Sequence, residues 1–405
     1  MSQPSRPVGL TRRHLLLGAA SLGASGLLAA CGGGGADAPG ASANETAASF
    51  TTGPITGFGS VIVGGVRFDD SFASFVDEDG NSRSRGELKL GCIVDVDGSS
   101  INRAELRARA LRIALGGALV GPMSALPTGT TETTFALLGQ TVLLTTSTVI
   151  DDSLVGGLGA VKVGDVLEVH GLYDAVNKRF VATRVEPKSS ATEYRLRGEV
   201  SAVDTTAKTF KIGSEVISYA SVPAADLRTP PVNGQFLRVR MQTTPVNGVW
   251  IATRMGLGVR SLESRSEAHV EGIITVINSP TEFEINGLKV DTSRASFPDG
   301  TAGIVKGARV EAEGAIVNGV LVASKVEIED RRSSGEKSLE FHGTMSNLDT
   351  TAKTFALRGL TIWYGGTVEY RDGSEASLAN GKEVEVRGVI AADRTRVEAR
   401  RIEFK

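Results

Sequence analysis

Chemically versatile side chains are scarce in this chain: 405 residues hold four histidines and two cysteines. His14 and Cys31 fall in the first 31 residues, which leaves His170, His269, His342 and Cys92 for the remainder. A single remaining thiol excludes a disulfide framework. Aromatic residues are 5% of the chain, too little material to stack bases or sugar rings along a groove. Lysine plus arginine (44) nearly balances aspartate plus glutamate (46). No basic stripe stands out, so electrostatic capture of nucleic acid is not indicated. The longest apolar, small-residue run, Leu15 to Ala30, is too short for a permanent membrane-spanning helix. Catalytic signatures are missing too. There is no Gly-x-Ser-x-Gly elbow, no phosphate-binding Gly-x-x-x-x-Gly-Lys-Ser/Thr loop and no His-Glu-x-x-His. Gly57-Phe-Gly59 and Gly157-Leu-Gly159 lack a third glycine at the right spacing and read as turn or strand glycines.

What is present is repetition. Asp204-Thr-Thr-Ala-Lys-Thr-Phe210 recurs as Asp349-Thr-Thr-Ala-Lys-Thr-Phe355, and a diverged copy, Val276 to Phe283, lies midway. Each copy follows a glycine and a short apolar strand and precedes a strand with alternate apolar positions: Phe210 and Ile212, Phe283 and Ile285, Phe355 and Leu357. A later strand alternates again, with Val384 and Val386 on one face and Glu383, Glu385 and Arg387 on the other. The template extends back to two earlier copies. The start glycines are Gly57, Gly121, Gly198, Gly272 and Gly343, so five repeats are expected. A period of about 70 residues exceeds that of solenoid repeats and suits small barrels strung in a row.

Five short strands per repeat predict an all-β fold, a tandem array of OB-like five-stranded β-barrels, with a small β-sandwich as the alternative. Ser374 to Leu378 would hold a loop or one helical turn, and Ala104 to Ala110 a strand. The expected layout is a leader (1–31), a Gly/Ala/Ser-rich tether (32–52) and repeats at 53–116, 117–190, 191–263, 264–333 and 334–405. One such module buries little core by itself, so neighbouring modules are expected to pack edge to edge.

The leader reads as an address. Arg12 and Arg13 precede the apolar run and resemble a twin-arginine export signal, although the run also suits the general secretion route. Leu28-Ala29-Ala30-Cys31 resembles the lipobox of bacterial lipoproteins, which implies acylation of Cys31, and several chains hold a protein stably at a membrane. The tether that follows would reach about 25 Å as a coil. Gly32, where family rules expect aspartate in a protein kept at the inner membrane, points to the outer membrane. Removing residues 1–31 takes away Arg6, Arg12 and Arg13 and no acid, so the remainder carries a net charge of about −5.

Gly57-Phe-Gly-Ser-Val-Ile-Val-Gly-Gly-Val-Arg-Phe-Asp69, followed by Leu88-Lys-Leu-Gly-Cys-Ile-Val-Asp-Val-Asp-Gly98, resembles a bacterial domain-of-unknown-function family, the one numbered 5666. The likeness is strongest over residues 53–115 and weakens along the later repeats. Cys92 departs from the pattern, which favours an apolar residue there. The resemblance implies a small β-barrel in an exported setting and no activity.

The remaining constellations read as structural. One histidine per module is too few for a metal site unless modules fold back on each other, so His170, His269 and His342 are expected as solvent-facing strand residues. Asp77-Glu-Asp-Gly-Asn81 has its glycine too early for a calcium loop and Leu88 where a glutamate is needed, and reads as an acidic hairpin turn. Cys92 shares a strand face with Leu90 and Val94 and is expected as a buried, inert thiol. Glu311, Glu313, Glu383 and Glu385 are expected as surface charge. The expectation is therefore a non-enzymatic, lipid-anchored cell-envelope protein with no cofactor, no metal and no nucleic-acid partner. It would act as a binding or spacer module for an envelope protein, a polysaccharide or a cationic ligand, with strands 2 and 3 of a barrel as the default binding face. Two alternatives stand: an enzyme or enzyme subunit with a site between modules, and a purely structural stalk.

Overall fold

The repeated phrase is a hairpin turn. Asp204 Oδ1 accepts hydrogen bonds from the backbone N–H groups of Thr206 (2.9 Å) and Ala207 (2.8 Å). Asp349 Oδ1 does the same for Thr351 (2.8 Å) and Ala352 (2.9 Å). Lys208 and Lys353 follow with φ of 53° and 56°, the left-handed residue that closes a type I turn with a bulge between antiparallel strands. Beyond the turn, Phe210 and Phe355 point inward and are fully buried. Local turn chemistry and the core pattern thus agree, and the phrase starts a barrel each time.

The computed structural model describes residues 46–116, 119–129, 132–154, 156–227, 230–258, 262–329, 339–392 and 394–405. Arg12, Arg13 and Cys31 lie outside them. Five barrels with one topology follow along the chain. In module 1 the first strand, Ser49–Phe58, pairs antiparallel with the second, Val61–Val63, which pairs with the third, Val66–Asp69. The third strand runs parallel to the fifth, Arg107–Gly116; the fifth pairs with the fourth, Ile93–Gly98, and the fourth returns to the first. This closed order, with its single parallel joint, is that of the OB barrel. It recurs in module 2 (Leu119–Thr128 to Arg179–Pro187), module 3 (Tyr194–Asp204 to Trp250–Leu257), module 4 (Arg265–Ser279 to Val320–Ile328) and module 5 (Leu339–Thr344 to Val397–Phe404). A 3-10 turn at Glu375–Ser377 precedes the fourth strand of module 5, where the sequence predicts it. Among the described residues no α-helix occurs as a named element.

The modules are not strung in a row. Module 1 is a hub that touches the other four. Its first strand has an edge left over after barrel closure, and unpaired edges recruit partners. Ser49–Thr52 pairs in parallel with Glu267–Val270 of module 4, and Gly57–Phe58 with Glu340–Phe341 of module 5. The first strands of modules 2 and 3 also meet, at Val120 and Arg195. Edges do pair, between the neighbouring modules 2 and 3 and, more extensively, between module 1 and modules 4 and 5, which are far from it in sequence. Ser49 to Thr52, assigned to the tether from composition, are strand instead. Ser49, Phe50 and Thr51 are buried, Phe50 within the core of module 4. Small and hydroxyl-bearing residues suit a strand once a second sheet edge satisfies their backbone groups.

Cores are shared as well. Modules 2 and 3 have one continuous buried cluster, and Leu90 of module 1 and Val149 of module 2 belong to the core of module 5. The joint between modules 1 and 2 is tight at Gly91. Its backbone sits at φ 79°, Thr183 Oγ1 donates to its carbonyl (2.6 Å), and a Cβ there would strike the Thr183 carbonyl.

The joint between modules 1 and 3 is electrostatic. Asp77 to Asn81 is a turn, as predicted, held by Asp77 Oδ1 accepting from the N–H groups of Asp79 (3.0 Å) and Asn81 (2.9 Å). It inserts into an arginine face of module 3. Arg240 reaches Asp77 at 2.9 Å and also pairs with Asp79, Arg238 reaches Asp79 at 2.5 Å, and Arg197 pairs with Glu78. Burial disfavours the Asp77 anion, but hydrogen bonds from Asn81 and Arg240 outweigh it and hold its carboxyl far below the usual range. A group with a depressed folded pKa stabilises fully above its unfolded value, near 3.8, and loses that contribution as pH falls below it. Removing one partner of a buried pair costs about 3–5 kcal/mol. In urea unfolding, Asp77→Asn is expected to lose about 3 kcal/mol at pH 7, and its deficit against the wild type to shrink as pH falls below 3.8. Equal midpoints at pH 7 would remove the turn from the account of assembly.

Candidate ligand-binding cleft

Where modules 1, 2, 3 and 4 converge they leave a cleft of about 600 Å³. Module 1 contributes Phe50 and Thr52 from its first strand and Ile93 to Asp95 from its fourth; module 2 contributes Gly171 to Tyr173 and Phe180. Module 3 adds Arg197, Glu199 and Phe236, and module 4 adds Val270 and the hairpin Ile285 to Leu288. Each barrel is closed, so its own interior is filled; only the junction of several barrels leaves room. The size is that of a small-molecule site.

One wall is aromatic. Tyr173 lies between Phe180 and Phe236, with ring centroids 5.2 Å and 4.9 Å away and tilted planes. Leu257, 63% exposed, and Val276 keep apolar surface in water at the rim. Four carboxylates line the cleft (Glu78, Asp95, Glu199, Glu284) against two bases (Arg197, Lys306). Burial first, then the charges of Glu199 and Asp174, push the Tyr173 phenol up to about 12. It therefore stays neutral and offers an O–H. Burial also opposes ionisation of Glu78, but Arg197 and Arg238 prevail and keep it anionic. Such a cleft can hold an apolar or aromatic body with a positive group. A polar recess of about 580 Å³ adjoins it between modules 1 and 3, sharing Glu78, Asp95 and Arg197.

The hairpins of strands 2 and 3, the expected binding face, serve mainly to join modules. Gly64 of module 1 lies against His269, Gly139 of module 2 meets Ser214 and Glu215, and the Thr361 N–H of module 5 donates to Asp152 (3.2 Å). The module 4 hairpin, through Asn286 and Gly287, faces the cleft.

The histidines are less exposed than expected: His170 is buried, and His269 and His342 are half-buried. His170 and Cys92 are each 1% exposed and face one another across the joint of modules 1 and 2, Cys92 Sγ standing 3.6 Å from Nε2. His170 Nδ1 bonds the Gly116 carbonyl at 2.6 Å, and Glu168 lies 3.8 Å from Nε2. Glu168 is itself buried and paired with Arg195 (2.5 Å) and Lys188 (2.7 Å). Burial opposes its charge, yet Arg195, His170 and Lys188 bring its pKa to about 2. The thiol is buried as expected. The pair is a nucleophile and a base in form, but closed to substrate.

His269 and His342 stand opposite Glu313 and Glu385 in the strand registers of modules 4 and 5. Glu385, expected as surface charge, is buried and binds His342 (3.1 Å) and Lys405 (3.1 Å); Glu311 and Glu313 are half-buried. Two-residue alternation marks the face a side chain takes, not what covers that face.

Residues 120–186, 271–327 and 342–403 match the model of a family described as "Domain of unknown function (DUF5666)". These are modules 2, 4 and 5; the likeness expected to be strongest over residues 53–115 is not among the matched segments, and it does not weaken along the later repeats as expected. No curated protein matches the chain. Among solved structures, a chain titled "drosophila Unr CSD456" is similar at 13% identity, with a TM-score of 0.14, over 52% of this chain and 96% of its own.

The His170 knot generates a pH signature. Burial lowers the imidazolium's pKa, but Cys92, Glu168 and Glu186 overcome it and raise the value to about 9 from 6.5. A raised folded pKa stabilises fully below the unfolded value and fades as pH climbs through the folded one. The urea midpoint is expected to fall between about pH 6.5 and 9, and His170→Gln to remove that part of the slope. An unchanged slope would show that His170 is neutral in the fold.

Proposed function

We propose that this chain, three of whose modules belong to the domain family of unknown function numbered 5666, is a non-enzymatic binding protein of the cell envelope. On this reading it is exported and anchored through a lipid on Cys31 to the periplasmic side, at the outer membrane. Its ligand is an amphipathic small molecule with an aromatic or other flat apolar part and a cationic group.

The four-module cleft carries the reading. Its size, its aromatic wall of Tyr173, Phe180 and Phe236, and its surplus of carboxylates over bases suit such a ligand. A cation above an aromatic face gains about 0.5–2 kcal/mol, more as water is excluded. Binding instead of catalysis is supported by the sealing of Cys92 and His170 from solvent. The lipid anchor rests on Leu28 to Cys31 and on the paired arginines before them.

A photo-crosslinking residue at Leu257, on the cleft rim, tests this in cells. A small molecule is expected to be captured at that position, and its yield to drop at least tenfold when Tyr173 is replaced by alanine. The same probe at Lys211, away from the cleft, should capture nothing. An empty Leu257 probe, or a protein captured equally at both positions, would overturn the assignment.

A further inference from the structure

We propose that His269, Glu311 and Glu313 bind a divalent transition-metal ion at the seam of modules 4 and 1. His269 comes from the first strand of module 4 and sits directly across from Glu313 on the fourth strand, with Glu311 two residues earlier on the same face. One ligand atom from each lies within 4.8 Å of the others. Around a tetrahedral ion with bonds of about 2.1 Å, ligand atoms stand about 3.4 Å apart, a closure that side-chain rotation supplies.

The imidazole is prepared for the role. His269 Nδ1 is buried and has no hydrogen-bond partner. A ring nitrogen without a partner is open to a metal ion. The cation on Glu313 is Lys325 (2.9 Å), which is already shared with Glu327 (2.7 Å) and has somewhere to go. Above the cluster passes the Gly64–Gly65 hairpin of module 1. A Cβ on Gly64 would stand 3.7 Å from Glu311 Oε1 and 3.7 Å from His269 Cβ, so the hairpin approaches the cluster without filling it.

Two other imidazole–carboxylate sets also bring one ligand atom from each residue within 4.8 Å of the others, and they serve as internal controls. In Glu168, His170 and Glu186 the carboxylates are held by Arg195, Lys188, Arg184 and Lys89, and both ring nitrogens have close neighbours. In Glu340, His342 and Glu385 the carboxylates are held by Arg67, Arg387 and Lys405, and His342 Nε2 already contacts both acids. One imidazole with two carboxylates suits Zn²⁺ or Mn²⁺ better than a soft metal.

The test uses the exported chain without a polyhistidine tag, stripped with chelator and titrated with zinc chloride by calorimetry. One Zn²⁺ per chain is expected, with a rise in melting temperature. His269→Ala and, separately, Glu311→Gln should weaken binding at least tenfold, whereas His342→Ala should bind like the wild type. X-ray absorption of the loaded protein should show one imidazole among oxygen scatterers. If His269→Ala does not fold, the Glu311→Gln variant and the absorption spectrum decide. No zinc bound by the wild type, wild-type affinity in the folded variants, or equal loss in His342→Ala would overturn the site.

Discussion

The edge of one strand organises the whole protein. A closed five-stranded barrel satisfies nearly all of its own backbone, but Ser49–Phe58 runs long and keeps donors and acceptors to spare. An exposed edge of that kind is an invitation to aggregate. Here modules 4 and 5 occupy it, one at each half of the strand, with parallel registers. Because both partners are fixed to one strand, their relative orientation is fixed too. The cleft bounded by module 4 is a consequence of that docking, as is the seam where His269 meets the Gly64 hairpin.

Charge does for modules 2 and 3 what the strand edge does for modules 4 and 5. The chain is nearly neutral overall, yet its charges are sorted by interface. Module 3 gathers Arg195, Arg197, Arg238 and Arg240 on neighbouring strands, a face that repels itself in isolation. Module 1 supplies Asp77, Glu78 and Asp79, and module 2 supplies Glu168. Buried ion pairs of this sort favour one arrangement over others more than they add net stability. They specify which barrel docks where, a need that is acute when five barrels share one topology.

The barrel itself was legible in the sequence because its determinants are local. Phe210 with Ile212 and Phe355 with Leu357 alternate with period two, and the aspartate-led phrase before each pair encodes the turn. The assembly was not legible, since the same alternation marks a polar face whether water or another module covers it. Glu385 and His170 are expected at the surface for that reason, and the acidic turn at Asp77 is legible as a turn but not as a docking element. One signal was there to find: Tyr194-Arg-Leu-Arg197 and Phe236-Leu-Arg-Val-Arg240 put four arginines on one face with no acid alternating among them. Such a face calls for an acidic partner, and Asp77-Glu-Asp79 is the densest run of acid in the chain. The cleft had no sequence signal, because Tyr173, Phe236 and Ile285 come from three modules whose docking the sequence does not state.

Module 1 gathers the other four into one body. Small-angle X-ray scattering of the chain from Ala43 onward tests it most directly. A body of this length has an expected radius of gyration of about 21 Å, whereas five such barrels in a row would exceed about 35 Å. A value near the first is expected, independent of salt up to about 0.5 M, where surface pairs are screened and buried ones persist. A value near the second would mean that the barrels hang as separate beads, and both the cleft and the metal seam would fall with it.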